Sequence, residues 1–173
     1  MKITKKWLEK QDFNEEILSW FLKQKETYST NVIKALRAEN EFVMANWLFV
    51  RLMSYSQYVD YAVYSIEQVI GIYEKKHPND KRPRKAIEAV KRCIDNPSKE
   101  NKDNARVAGS YYTYIAGGNA EEVWNAVSYA VTAAVRRIAP AACLAAQEAY
   151  KIGEQATREK IFDYGIKLLE GKA

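Results

Sequence analysis

A single histidine, His77, and two cysteines, Cys93 and Cys143, bound the side-chain chemistry open to this chain of 173 residues. A hydrolytic triad usually draws its base from histidine, but His77 sits in the stretch KHPND, at what the pattern makes a helix end, where structural use is common. One histidine and two isolated cysteines cannot supply the usual zinc ligand sets, and one histidine cannot provide the two Glu-x-x-His motifs of a di-iron site. Gly117-Gly118 lacks the downstream lysine and serine or threonine of a phosphate loop. No spacing of carboxylates singles out an acid/base pair. The reading is of a non-enzyme, with no catalytic residue, metal or cofactor assigned.

What remains is the chemistry of recognition. Lys81, Arg82, Arg84 and Lys85 crowd a proline-containing bend where no core needs them. Between Tyr73 and Arg92 the bases are Lys75, Lys76, Lys81, Arg82, Arg84, Lys85, Lys91 and Arg92, against Glu74, Asp80 and Glu88. The surplus equals the net charge of the whole chain, +5. Such a cluster attracts phosphate or an acidic protein surface; a charge run that merely solvates the domain is the plain alternative. The candidate contact surface is His77, Asp80, Lys81, Arg82, Arg84 and Lys85, supported by neighbouring tyrosines.

Helices must position that corner. Length fits one domain over residues 1–173, with a sizeable core, and 47% hydrophobic and 28% charged residues are ordinary for a globular protein. A short helix is expected around Trp7 and Leu8. Asp12 or Asn14 can cap a second, carrying Ile17, Leu18, Phe21 and Leu22, and Ser29 or Thr30 a third, ending near Asn40. From Phe42 the run VMANWLFVRLM is apolar nearly all round, which predicts a central buried helix. Another begins near Ser54 or Ser56 and continues to His77-Pro78, since the residue before proline is pushed out of the α region.

Tyr55, Tyr58, Tyr61 and Tyr64 lie on that helix at three-residue steps, so their rings spiral across its surface as packing residues. Pro83 suits the first turn of the next helix, which stops before Pro97. Ser98 opens a helix expected to run to Gly117-Gly118. Asn119 caps the following one, and Pro140 is expected to kink or divide it, with a stretch rich in alanine beyond. Ile161, Phe162, Ile166 and Leu169 dock the C-terminal segment. Strict alternation is absent, so the fold class is all-α, an irregular single-domain multi-helix bundle or array with no β-sheet.

Asn46 and Arg51 fall inside the apolar run, and a buried guanidinium requires an acidic partner. Glu67 or Asp60 can supply one, and Arg51 with Glu67 is the expected structural ion pair. The cysteines read as reduced core thiols, which points to a reducing cytosol. MKITKKWLEKQDF lacks the apolar stretch of a secretory leader, and Ile138 to Ala146 is too short to span a bilayer. A cytoplasmic protein with no membrane partner is expected. The tyrosine-rich faces fit packing within a monomer or across a dimer equally.

The ANWL and VRLM segments, the helix YVDYAVYSIEQVI and the corner KHPNDKRPRKAIEAVKRCIDNPSKEN together resemble the all-helical immunity-protein family found beside bacterial polymorphic toxins and in related phage genomes. The likeness covers about residues 20–101. In the helices of residues 102–173, the long alanine and tyrosine tracts of relatives shrink to fragments such as SYYTYIAGG and AVSYAVTAA. The resemblance implies an all-α inhibitor that binds and neutralises a protein toxin or effector by occlusion, in the cytoplasm of a bacterium or of an infected host, with no catalytic residues to carry over.

Inhibitors of basic nucleases are commonly acidic, because opposite charge speeds association. This chain is basic, so its target is acidic or is met by an apolar face. Two other roles fit the basic corner. One is a phage counter-defence protein that sequesters a host effector or a nucleotide signal; the other is direct nucleic-acid binding, which would weaken steeply with salt.

Overall fold

The computed structural model describes residues 1–11, 15–24, 27–110 and 119–173, the side chains of 119 and 120 apart. Among them run eleven helices: α1 Lys5–Glu9, α2 Glu15–Leu22, α3 Ser29–Ala38, α4 Phe42–Leu52, α5 Tyr55–Glu67, α6 Ile70–Lys76, α7 Arg82–Asp95, α8 Lys99–Gly109, α9 Asn119–Arg136, α10 Ala139–Ile152 and α11 Gln155–Glu170. No sheet occurs among the described residues; one isolated bridge pairs Lys2 with Tyr28. The all-α expectation holds.

The centre is built from α5, α9 and α10, packed on one another, with α4 and α11 on one flank and α7 and α8 on the other. Where α9 and α10 pack together both helices bury alanine: Ala126, Ala130, Ala133 and Ala134 on α9 and Ala142, Ala145, Ala146 and Ala149 on α10 are all 0–1% exposed. Small side chains let the two helices approach closely and lose little rotamer entropy on burial. Pro140 separates these helices as expected, standing at the start of α10 where its missing N–H costs nothing.

Around the seam the aromatic residues supply bulk. Phe49 meets Phe162 edge-on at 5.2 Å between centroids and Tyr61 at a tilt at 5.5 Å, which locks α4, α5 and α11 together. The four spiralling tyrosines of α5 are spread over several neighbours. Tyr61 is fully buried with its hydroxyl 3.0 Å from that of Tyr150, and Tyr55 donates to the carbonyl of Ala134 on α9. Tyr58 packs edge-on against Tyr55, and Tyr64 stacks on Tyr164 at 3.8 Å. They are packing residues, as their spacing predicts.

Local chemistry explains most boundaries. Ser54 forms a capping box with Gln57 at the start of α5, Ser98 accepts the N–H of Asn101 at the start of α8, and Gly171 closes α11 at a φ of 68°. The start of α3 departs from expectation. Tyr28, not Ser29 or Thr30, holds the cap position without a side-chain bond, and the Ser29 hydroxyl accepts from the Met1 amino group at 3.4 Å. The caps expected at Asp12 or Asn14, and the helical continuation expected over 111–118, lie outside the described residues.

The helix expected from Ser54 to His77 is broken into α5 and α6 at Gln68 and Val69, where Val69 takes φ −123° and ψ −14°. Tertiary contact overrides periodicity here: the break seats α6 on α9 and brings Tyr73 to Trp124. The expected Arg51–Glu67 ion pair does not form. Arg51 lies in the last turn of α4, near the start of α5, whereas Glu67 ends α5, about 18 Å along its axis from Tyr55 at 1.5 Å per residue. Arg51 instead lies over the Trp47 ring at 3.5 Å, and Glu67 takes Lys91 of α7 at 2.6 Å. Asp60, the other acid considered, accepts from Tyr164. Asn46 is buried as expected and donates to the carbonyl of Cys143.

Both cysteines are free and buried, as read from the sequence. Burial pushes the Cys143 thiol up to about 12. Gly165 marks a close approach in this core, since a Cβ there would come within 2.9 Å of the Phe49 ring. Gly165→Ala therefore lowers stability, because overpacking by about 1–3 kcal/mol exceeds the helix-propensity gain of about 1 kcal/mol. Gly71→Ala, exposed on α6 with nothing near the new Cβ, raises stability by about 0.5–1 kcal/mol. Urea unfolding monitored by circular dichroism separates the two, and equal midpoints would contradict the close packing at Gly165.

Candidate functional site

The corner between α6 and α7 is organised by one carboxylate. Pro78 ends α6 at His77, and Asn79 and Asp80 turn the chain into α7, with Pro83 in its first turn as the sequence predicts. Asp80 then collects donors from both sides. The Tyr73 hydroxyl donates to Oδ2 at 2.5 Å, the Arg82 backbone N–H donates to Oδ1 at 3.0 Å, and the Arg82 guanidinium makes a two-pronged contact, Nε to Oδ1 at 2.9 Å and Nη2 to Oδ2 at 2.7 Å. Charge-assisted bonds of this kind are the strong ones. They hold the Asp80 carboxyl far below the usual carboxylate range, the guanidinium contributing most.

Behind Asp80 the network reaches the core. Trp124, 1% exposed on α9, donates its indole N–H to the Tyr73 hydroxyl at 3.3 Å, and the two rings meet edge-on. Burial and the bond to Asp80 raise the Tyr73 phenol above its ordinary pKa, so it remains a donor. The Arg82 guanidinium also lies 5.8 Å over the Trp124 ring. His77 packs its ring against Tyr73 at 4.6 Å. A chain of contacts thus runs from a central helix to the bend.

A second pair braces the corner. Arg84 grips Glu74 with Nε and Nη2 at 2.7 and 2.8 Å, bridging α7 back to α6. That pairing lowers the Glu74 carboxyl. Two of the four cations singled out from the sequence are therefore occupied by internal carboxylates, which corrects the expectation that the bend spends them freely on a partner. The sequence places Glu74 ten residues before Arg84, a separation that carries no signal until the chain turns back at Pro78.

The remaining two are disposed differently. Lys81 and Lys85 are exposed, and among the described residues no carboxylate stands within ion-pair distance of either. Together with His77, Pro78, Asn79, Asp80 and Arg82 they line an open depression of about 640 Å³. Of the six contact residues expected from the sequence, His77, Asp80, Lys81, Arg82 and Lys85 meet there, while Arg84 does not line it. Pro78 and Asn79 join them, and Tyr73, Glu74 and Trp124 support the site from beneath. The first two were visible in the turn motif itself; Trp124 was not, because its link to the corner spans 51 residues.

A second depression of about 360 Å³ lies among Phe42, Val43, Gln147, Tyr150, Lys151 and Arg158. Its cations are engaged: Lys151 with Glu148 at 2.7 Å, and Arg158 with the carbonyls of Tyr150 and Gly153. Among the described residues no group of three or more His, Cys, Asp or Glu side chains could hold a metal ion, and no helix is long and apolar enough to cross a membrane. The chain matches no known family, no curated protein and no solved structure.

Two consequences can be measured. Tyr73→Phe leaves the buried Trp124 N–H without its acceptor and Asp80 with one donor fewer, which costs about 1–3 kcal/mol in a thermal or urea melt. Because the native Asp80 carboxyl releases its proton more readily than that of the unfolded chain, the folded state binds fewer protons on acidification. The stabilisation from Asp80 is present above the unfolded value near pH 4 and is lost as pH falls below it. Asp80→Asn is accordingly less stable than the wild type at pH 7, and the gap between their urea midpoints narrows at pH 3. A gap that does not change with pH would show that the Asp80 charge contributes nothing.

Proposed function

We propose that this chain is a non-enzymatic protein-binding module of the immunity type, which neutralises a toxin or effector by occupying its surface, and that the α6–α7 corner makes the contact. The observation that carries this reading is the partition of the corner's cations. Arg82 and Arg84 are half-buried and fixed by internal carboxylates, while Lys81 and Lys85 stand exposed at the rim of an open depression. A brace of two ion pairs holds the bend rigid, and a rigid bend presents its lysines at low entropic cost to a partner. The resemblance of the corner sequence to the helical immunity family supports the same role.

The sole histidine is packed on Tyr73, and both thiols are buried in apolar surroundings that raise their pKa. That environment suits a recognition surface better than a reaction centre, because nucleophilic cysteines need thiolate character and access.

The test is affinity capture from the source cells with the tagged full chain, run beside Lys81→Glu/Lys85→Glu. A protein retained by the wild type and reduced about tenfold or more by the double variant is the expected result. Retention that ignores the reversal, with the fold intact by circular dichroism, would move the contact elsewhere. Failure of the wild type to retain any protein above a bead control would overturn the binding role.

A further inference from the structure

Resting on that binding role, the geometry points to the chemistry of the partner: a carboxylate-bearing segment of a protein, an acidic loop or tail, seated in the corner depression between Lys81 and Lys85. The Lys85 N–H donates to the carbonyl of Lys81 at 3.0 Å, so the two side chains stand one helical turn apart on one side of α7, with Cβ atoms about 5–6 Å from each other. Each ammonium is a point charge with three rotatable donors on a flexible stem. A pair of that kind accepts carboxylates delivered in varied orientations along a chain.

The same surroundings disfavour a phosphate ligand. Planar two-pronged recognition of phosphate relies on arginine, and both arginine forks here already hold carboxylates, Arg82 on Asp80 and Arg84 on Glu74. The start of α7, where a phosphate would seek backbone N–H groups, is filled as well: Asp80 accepts the N–H of Arg82, and Pro83 has none to give. Lys75 and Lys76, exposed at the end of α6, extend the positive field along the approach.

The experiment titrates the full chain with a dye-labelled oligo-glutamate peptide at low and physiological salt, with inorganic phosphate and a single-stranded oligonucleotide as competitors. Lys81→Gln/Lys85→Gln is compared with Lys23→Gln/Lys160→Gln, two exposed lysines remote from the corner in sequence. The inference expects peptide binding that weakens with salt and falls about tenfold in the corner variant, little change in the control variant, and weak competition by phosphate or oligonucleotide. It is overturned if the wild type ignores the peptide at low salt, if both double variants lose affinity equally, or if phosphate or oligonucleotide displaces the peptide at matched charge. A partner captured from cells through Lys81 and Lys85, alongside an oligo-glutamate peptide that does not bind, would sink the acidic-segment assignment while leaving the binding role in place.

Discussion

The close approach of α9 and α10 along a seam of buried alanines is the constraint on which the remaining structure depends. It fixes α9 at the centre, and α9 carries Trp124. The indole sets the position of Tyr73, the phenol sets Asp80, and the carboxylate sets Arg82. An exposed bend is thereby referenced to the core through four side chains. Every buried polar atom in that series has a partner, so the network rigidifies without the desolvation penalty of an unpaired group.

That dependence gives the corner's charges two different roles. A charge at a helix junction either fastens the junction or faces outward. Arg82 and Arg84 fasten it, because their planar forks fit carboxylates on both sides of the turn and the half-buried setting strengthens each contact. Lys81 and Lys85 face outward, because among the described residues no acid stands within ion-pair distance of either and the lysine ammonium is better solvated than buried. The net charge of the segment is unchanged by this division. Three of its eight cations, Arg82, Arg84 and Lys91, are held by carboxylates, and two of the others, Lys81 and Lys85, stand at the rim of one depression.

Helix boundaries were legible wherever one residue's chemistry sets them: Ser54 and Ser98 as caps, Pro78, Pro83 and Pro140 as punctuation, and the apolar run of α4. They were not legible where distant groups compete. The Ser29 hydroxyl accepts from the Met1 amino group instead of capping α3, and the α5–α6 break answers to α9, far along the chain. The Arg51–Glu67 expectation failed on distance, since a correct judgement about burial and charge says nothing of which end of the next helix holds the acid. Lys91 reached Glu67 because α7 returns alongside α5.

Taken alone, the sequence determined the all-α class, the location of the bend and its excess of positive charge, because capping, proline geometry and composition are local properties. Tertiary structure alone decided which of those charges remain outward. Ion pairing falls off over a few ångströms, and the partners Glu74–Arg84, Glu67–Lys91 and Tyr73–Trp124 come within that range only after the chain has folded back on itself.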